Sequence, residues 1–546
     1  MSQKKNAASG KPKNRFLLCL LLTLAFAFVY YYVTLPALNL HNPGFYFFIF
    51  LSVFVFCFLT ILTGDFSQTV TEGVSAIWKR CKWPIVLCGA LLALMMIGAL
   101  LGSVIFRSKS YTKLLEVQPG DFVQEVDEIS FHKIPMLDSD SAAVLGNRKL
   151  GELADMVSQF EVSSAYYQIN YQDSPVRVAA LRYGDFFKWL NNMNSGLPAY
   201  VRINMVTQEA QVVRLESGMK YTPADHFGRN LSRLLRFRYP TFLFDQPVFE
   251  IDEEGQPYYV CAREIRTIGL FGGRDVDGAV LVNAITGESQ FYARDEIPTW
   301  VDRVYSADLL IRQYDYYGQY QSGFLNSLFG QKGCTMTTEG YNYVALNDDV
   351  YVYTGVTSVG GDESNVGFIL CNQRTKDCRY YPCAGAEEYS AMDSAQGVVQ
   401  HLQYRATFPL LLNISGQPTY FMSLKDAAGL VKMYAMVNVQ RYNIVATAST
   451  VAECESAYAK LLRQDGISTA GSLSEGVRGR IAEIRTAVIG GNTWYYFRLV
   501  GENCFYAVSA ERCETAVILN PDDRVAIYGA AEEGEIRAAD TIERKD

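Results

Sequence analysis

Three uninterrupted apolar runs open the chain, from about Phe16 to Leu40, Phe45 to Gly64 and Pro84 to Phe106, each free of charge inside. Each is close to the ~20 residues that cross a bilayer as a helix. Three such runs in succession predict three transmembrane helices, because a soluble core does not need three charge-free helices at one end. After Phe106 the pattern turns to short alternating runs rich in Tyr and Phe, the period of half-buried strands. The expected fold class is α+β: three N-terminal transmembrane helices, duplicated α+β units with antiparallel sheets, and a small C-terminal β-barrel.

Turn signals divide the alternating region. Asn-x-x-Thr-x-Glu/Asp stands between strand-like runs at Asn204–Glu209, Asn283–Glu288 and Asn372–Asp377. Asn, Thr and Gly tolerate or brace the bent backbone of a hairpin, so these residues are structural first. A second tip, Gly255-Gln256-Pro257, recurs as Gly416-Gln417-Pro418. Each copy follows a helical stretch, about Ala224 to Arg238 and Ser390 to Tyr404, with Asp225 and Asp393 near their starts. A carboxylate there favours exposed N–H groups. Helix, hairpin and further strands, occurring twice, predict a duplicated unit. Asp138 and Asp185 are expected to open two earlier helices.

A helix followed by strands that end in Val282-Asn283-Ala-Ile-Thr286-Gly287-Glu288 resembles the PepSY module of protease propeptides and bacterial envelope proteins. The likeness spans about 75 residues near Ala224 to Ala293, and about 60 more near Ser390 to Thr447. The second copy ends at Asn438 without the Thr-Gly-Glu tip. The resemblance implies a binding or inhibitory module rather than an enzyme. Beyond Gly471, five alternating runs in some 65 residues resemble an OB-type barrel, with Gly490-Gly491-Asn492 as a hairpin turn.

The expected map is a basic tail (1–15), the three helices (16–106), a membrane-proximal α+β platform (107–220), PepSY-like unit 1 (221–300) and a Tyr/Gly-rich connector (301–342). A hairpin with PepSY-like unit 2 (343–465), a linker (466–476) and the barrel (477–546) complete it.

Charge sets orientation. Lys4, Lys5, Lys11, Lys13 and Arg15 precede the first run, the next loop lacks Lys and Arg, and Lys79, Arg80 and Lys82 precede the third run. The positive-inside rule then places the N-terminus in the cytoplasm and the body outside, in the cell envelope. Arg107, Lys109 and Lys113, directly after the third run, pull the other way. Residues 1–113 carry 11 basic and 2 acidic groups, leaving 38 basic against 55 acidic in the body, a net −17. Such a body repels phosphate backbones, so nucleic acid is excluded as a partner. The expected partners are the lipid bilayer and an envelope protein or glycan.

Chemistry is sparse. The four histidines, His41, His132, His226 and His401, are scattered, and no metal, phosphate-loop or nucleophile-elbow motif occurs. No cofactor is expected. Carboxylates in a cleft between the repeats leave an envelope hydrolase as the alternative to a binding or scaffolding protein. Tyr314, Tyr316, Tyr317, Tyr320 and Phe324 form the candidate ligand surface, since tyrosine offers rigid stacking area with a polar tip. Cys371 and Cys378 bracket the expected hairpin turn, and Cys504 and Cys513 lie close in sequence. Each pair is a candidate disulfide, with buried thiols the open alternative.

Overall fold

The computed structural model describes residues 12–63, 70–128, 134–346, 348–360, 364–465, 477–489, 492–510, 513–528, 535–539 and 541–545. Helices α1 (Pro12–Thr34), α2 (Pro43–Leu62) and α3 (Val70–Leu101) come first. Within them Arg15–Thr34, Pro43–Leu62 and Cys81–Leu101 are long and apolar enough to span a membrane. Asn42 caps α2 by accepting the Gly44 N–H, with Pro43 in the first turn where no donor is needed. The third apolar helix stops at Leu101 rather than Phe106. Gly102 and Ser103 interrupt it, and α4 (Val104–Tyr111) is a separate helix.

A parallel edge strand, β1 (Val117–Pro119), and one turn, α5 (Phe122–Glu125), lead into the body. The body repeats one pattern four times: a helix and then five strands. Unit 1 holds α6 (Ser139–Gly151), β2 (Phe160–Val162), β3 (Tyr167–Tyr171) and β4 (Ser174–Tyr183). An added helix, α7 (Phe186–Asn192), precedes its β5 (Leu197–Asn204) and β6 (Ala210–Met219). Unit 2 holds α8 (Leu231–Arg238), β7 (Leu243–Phe244), β8 (Val248–Ile251), β9 (Pro257–Ile268), β10 (Gly272–Asn283) and β11 (Ser289–Ala293). Unit 3 holds α9 (Ala307–Tyr320), β12 (Thr335–Thr337), β13 (Asn342–Leu346), β14 (Asp349–Ser358), β15 (Ser364–Asn372) and β16 (Cys378–Ala386). Unit 4 holds α10 (Glu388–Val398), β17 (Arg405–Ala406), β18 (Leu410–Ile414), β19 (Gln417–Lys425), β20 (Val431–Asn438) and β21 (Val445–Ala448). In every unit the first and second strands pair with the third, the third with the fourth, and the fourth with the fifth.

The sheets therefore count four units where the sequence showed two. The expected platform is unit 1, and the expected connector supplies α9 and β12 of unit 3. One turn recurs between the fourth and fifth strands of each unit. The Oδ1 atoms of Asn204, Asn283, Asn372 and Asn438 each accept the N–H groups two and three residues on, at 2.8–3.1 Å. The residue after each Asn donates its N–H to the start of the third strand, at Pro175, Pro257, Val350 and Pro418. Asn438 thus makes the turn without the Thr-Gly-Glu tip. The helix predicted from Ala224 begins only at Leu231, capped by Asn230, because Asp225 is drawn into the core instead. Asp138 and Asp185 do cap α6 and α7.

Neighbouring units share cores. Phe249 and Tyr259 of unit 2 join Tyr200 and Val201 of unit 1, and Leu309 and Tyr314 of unit 3 pack with Val276 and Leu281 of unit 2. Tyr353 and Phe368 of unit 3 pack with Phe421 and Met436 of unit 4. Unit 4 returns to unit 1: Ser423 Oγ donates to the Met136 carbonyl at 2.8 Å, Lys425 pairs with Asp138 at 2.5 Å, and Gln208 bonds Tyr434 at 2.9 Å. A last helix, α11 (Val451–Gln464), opens on a Thr450/Glu453 capping box and buries Tyr458 and Leu462 in the same core as unit 4.

The C-terminal module holds β22 (Val477–Ile489), β23 (Asn492–Leu499), β24 (Phe505–Ser509), β25 (Arg524–Tyr528), β26 (Ile536–Ala538) and β27 (Thr541–Arg544). Its order is β26-β24-β23-β22-β25-β27, an open path among the described residues. The single strand expected from Glu535 to Ile542 is two strands at opposite ends of that path. The expected Gly490-Gly491 turn and the 466–476 linker lie outside the described residues.

The body sits against the α1–α2 connection. The Leu38 N–H donates to the Pro240 carbonyl at 2.8 Å, and the guanidinium of Arg236 reaches the Leu35 carbonyl at 3.0 Å. The β9–β10 tip lies against α3: a Cβ at Gly102 would stand 2.9 Å from the Ile268 carbonyl oxygen. Gly269, at φ +62°, would bring a Cβ within 2.7 Å of the Gly102 Cα. Glycine on both sides permits this backbone contact.

Candidate functional site

Units 1, 3 and 4 meet at a cleft of about 380 Å³. Tyr166, Tyr167 and Arg177 come from β3, β4 and the segment before β3. Arg303 comes from the connection between units 2 and 3, Tyr341 and Tyr343 from unit 3, and Phe408 from unit 4. The Asp138 and Asp140 carboxylates stand at its edge.

Arg177 defines the chemistry. Its side chain rises from the middle of β4, a strand buried along nearly its whole length, and the residue is only 5% exposed. Its guanidinium makes long hydrogen bonds to two carbonyls, Leu137 at 3.4 Å and Tyr166 at 3.3 Å. No carboxylate pairs with it among the described residues. Burial disfavours the charged form and lowers its pKa to about 10. The nearby Asp138 and Asp140 charges offset part of this burial cost without touching the guanidinium, and a buried guanidinium with no direct ion pair is a poor stabilising element.

Arg303 is the second cation. One terminal nitrogen donates to Tyr343 Oη at 2.8 Å, and the guanidinium stacks over the Tyr343 and Tyr167 rings. Its Nε is buried without a hydrogen-bond partner, as is the Tyr166 hydroxyl. Both amide atoms of Gln168 are likewise unpartnered, beside an adjoining cavity of about 20 Å³ that also reaches Asn342 and Tyr343. The Asp138 carboxylate is already used. Burial would raise its pKa, but Lys425 and the Ser141 N–H hold it below the usual range.

Behind Arg303 lies a buried acid pair. Glu250 accepts the backbone N–H groups of Asp302 at 2.9 Å and Arg303 at 3.0 Å, while Asp302 accepts the Asn170 N–H at 2.6 Å. Burial pushes both carboxyl groups up, and Glu250 raises Asp302 further. Neither lines the cleft. They hold the strand ends of units 1 and 2 to the segment that carries Arg303.

The residues singled out in sequence lie elsewhere. The 313–324 segment of the expected connector is mostly α9, because Leu310, Tyr314 and Tyr317 follow helical spacing onto one core. Tyr314 is inside that core. Tyr316, Tyr320 and Phe324 stack in a column, with Tyr316 against Tyr111 at 4.8 Å between ring centroids. None of the five lines the cleft. Cys371 and Cys378 face one another across β15 and β16, joined at 2.04 Å. No disulfide joins Cys504 to Cys513: Cys504 Sγ lies by Glu502, and Cys513 Sγ by Thr515. His226 packs on Trp189 and Phe186 in units 1 and 2, away from His401 of unit 4. His132 lies outside the described residues. The signal missed in sequence is Arg177, a lone charge inside the run Val176-Arg177-Val178-Ala179-Ala180.

No protein-family model and no curated protein matches this chain. The fold and site define it as a body of four repeated α+β units on three apolar helices, with an aromatic cleft that presents two guanidinium groups.

Proposed function

We propose that this is a membrane-anchored binding protein of the cell envelope whose cleft takes an anionic group borne on a wall polymer or peptide. The observation that carries the reading is Arg177, buried and without a carboxylate partner, in a cleft that Arg303 and four tyrosines also line. Guanidinium groups match carboxylate and phosphate oxygens bidentately, and tyrosine faces suit a sugar ring. The basic N-terminal tail, the acidic body and the Cys371–Cys378 disulfide support an extracytoplasmic body. A helix followed by a hairpin and further strands supports reading each unit as PepSY-like. The pairing of β22 with β25 at its start and with β23 at its end supports reading the C-terminal module as an accessory OB-type fold.

Thermal shift on the detergent-solubilised full chain tests the cleft, with N-acetylmuramic acid and glycerol 3-phosphate as anions and neutral N-acetylglucosamine as control. A bound anion raises the melting temperature by mass action. We expect a shift from at least one anion and none from the neutral sugar. Arg177→Met should abolish the shift while leaving the unliganded protein as stable or up to about 2 kcal/mol more stable, since a desolvated charge is removed. Equal shifts in wild type and Arg177→Met, or no shift from either anion, would remove the cleft as the site.

A further inference from the structure

Two clusters of exposed apolar side chains lie beside the ends of the apolar helices, and none of the described residues of the body covers them. The first is on unit 1 and the start of unit 2. Phe187 is 73% exposed at the first turn of α7, and Phe186, Leu190 and Phe227 are exposed around it. Their position follows from one side chain. Arg233 stacks over the Tyr32 ring at 4.3 Å in the last turn of α1 and donates to the Tyr32 carbonyl. The same guanidinium donates to the Phe227 carbonyl at 2.8 Å. Phe227 in turn lies 5.8 Å from Trp189, between centroids, and Trp189 lies 5.4 Å from Phe186. The cluster is therefore tied through Arg233 to the last turn of the first apolar helix.

The second cluster follows α9. Gln313 bonds the Arg274 carbonyl, while Tyr316 packs with Ile268, Val104 and Tyr111, so α9 descends along β10 towards α3. The Tyr111 hydroxyl donates to the Gly102 carbonyl at 2.7 Å, at the end of the third apolar helix. Beyond the Tyr316-Tyr320-Phe324 column, the chain turns through Asn326–Gly330 and exposes Leu325 (70%), Leu328 and Phe329 (80%). On α4, Ile105 and Phe106 are exposed as well, followed by Arg107 and Lys109.

We propose that both clusters are feet that enter the headgroup region of the bilayer on the body's side and hold the body down against the membrane. The proposal rests on the reading of the three helices as membrane spans. Exposed Phe and Leu beside a span, with Lys and Arg at their edge, is the composition of an interfacial contact. It also gives Arg107, Lys109 and Lys113 a place at lipid phosphates, the one group of charges that topology alone left unexplained. A second copy of the chain is the other occupant such patches admit, but their position beside the span ends favours lipid.

Tryptophan fluorescence on the full chain in nanodiscs tests this. The discs contain phosphatidylcholine and phosphatidylglycerol, with or without brominated acyl chains, and Phe187→Trp, Phe329→Trp and Leu94→Trp are each compared with wild type. Both foot variants exchange exposed side chains, so folding is not at risk. The emission added at positions 187 and 329 should fall about twofold with brominated lipid and be shielded from aqueous iodide. Leu94 lies within the third span, so its variant should be quenched by brominated lipid whatever the feet do. Quenching at 94 with unquenched, iodide-accessible emission at 187 and 329 would overturn the feet alone. No quenching at 94 would overturn the spans and the feet together.

Discussion

At the scale of single residues, the molecule places charge and amide groups where burial is costly and uses each for a fixed geometry. The clearest case is the Glu250–Asp302 pair. Both carboxyl groups are raised, first by burial and for Asp302 also by Glu250. Above the ordinary carboxylate range near about 4, the folded protein retains a proton that the unfolded chain has released. The folded state then binds more protons than the unfolded one, so stability is fullest at low pH and falls as pH rises through the raised values. We expect the melting temperature to drop between about pH 5 and about pH 8, and the drop to shrink in Glu250→Gln. An unchanged slope in the variant would show that the proton resides elsewhere.

At the scale of elements, contacts that require absence of a side chain matter as much as those that use one. The β9–β10 tip and α3 approach through Gly102 and Gly269. A branched side chain at 102 meets the Ile268 carbonyl oxygen and Gly269, neither of which can move far. Gly102→Val should therefore lift the tip from the helix at a cost of about 1–3 kcal/mol. Hydrogen exchange would show this as faster exchange at 268–273, with unit 4 unaffected. This level also shows what was legible in the chain. Three Asn turns were visible because Asn and Thr both stood in place, whereas Asn438 makes the turn by its side chain alone. Unit 1 was hidden because α7 interrupts it between the third and fourth strands, and because Ser174-Pro175 replaces Gln-Pro at the tip. In α9 the density of tyrosine masked a helical period that only the packing of Leu310, Tyr314 and Tyr317 makes plain. The three apolar helices were legible in the chain because their signal is local, although the first ends at Thr34 rather than Leu40 and the third at Leu101 rather than Phe106. The cleft was not, since its walls are drawn from positions as distant as 138 and 408.

At the scale of the whole molecule, the α1–α2 connection and the body share one end of the helix bundle. The hydrogen bonds from Leu38 to Pro240 and from Arg236 to Leu35 require it. The side of the membrane is a separate prediction, from charge. Tyr442→Cys, on an exposed turn of unit 4, should react with a membrane-impermeant maleimide in intact cells. Reaction only after lysis would put the body, and the search for its ligand, in the cytoplasm.

The return of unit 4 to unit 1 also sets a timetable. The apolar helices leave the ribosome before the body, and the body's units follow one after another. Units 1 and 2 can settle their shared core early, but the wall that carries Phe408 arrives only when the fourth unit is made. Until then Arg177 faces an open gap. A chain truncated within unit 4 would keep its three apolar helices, but its cleft would lack a side.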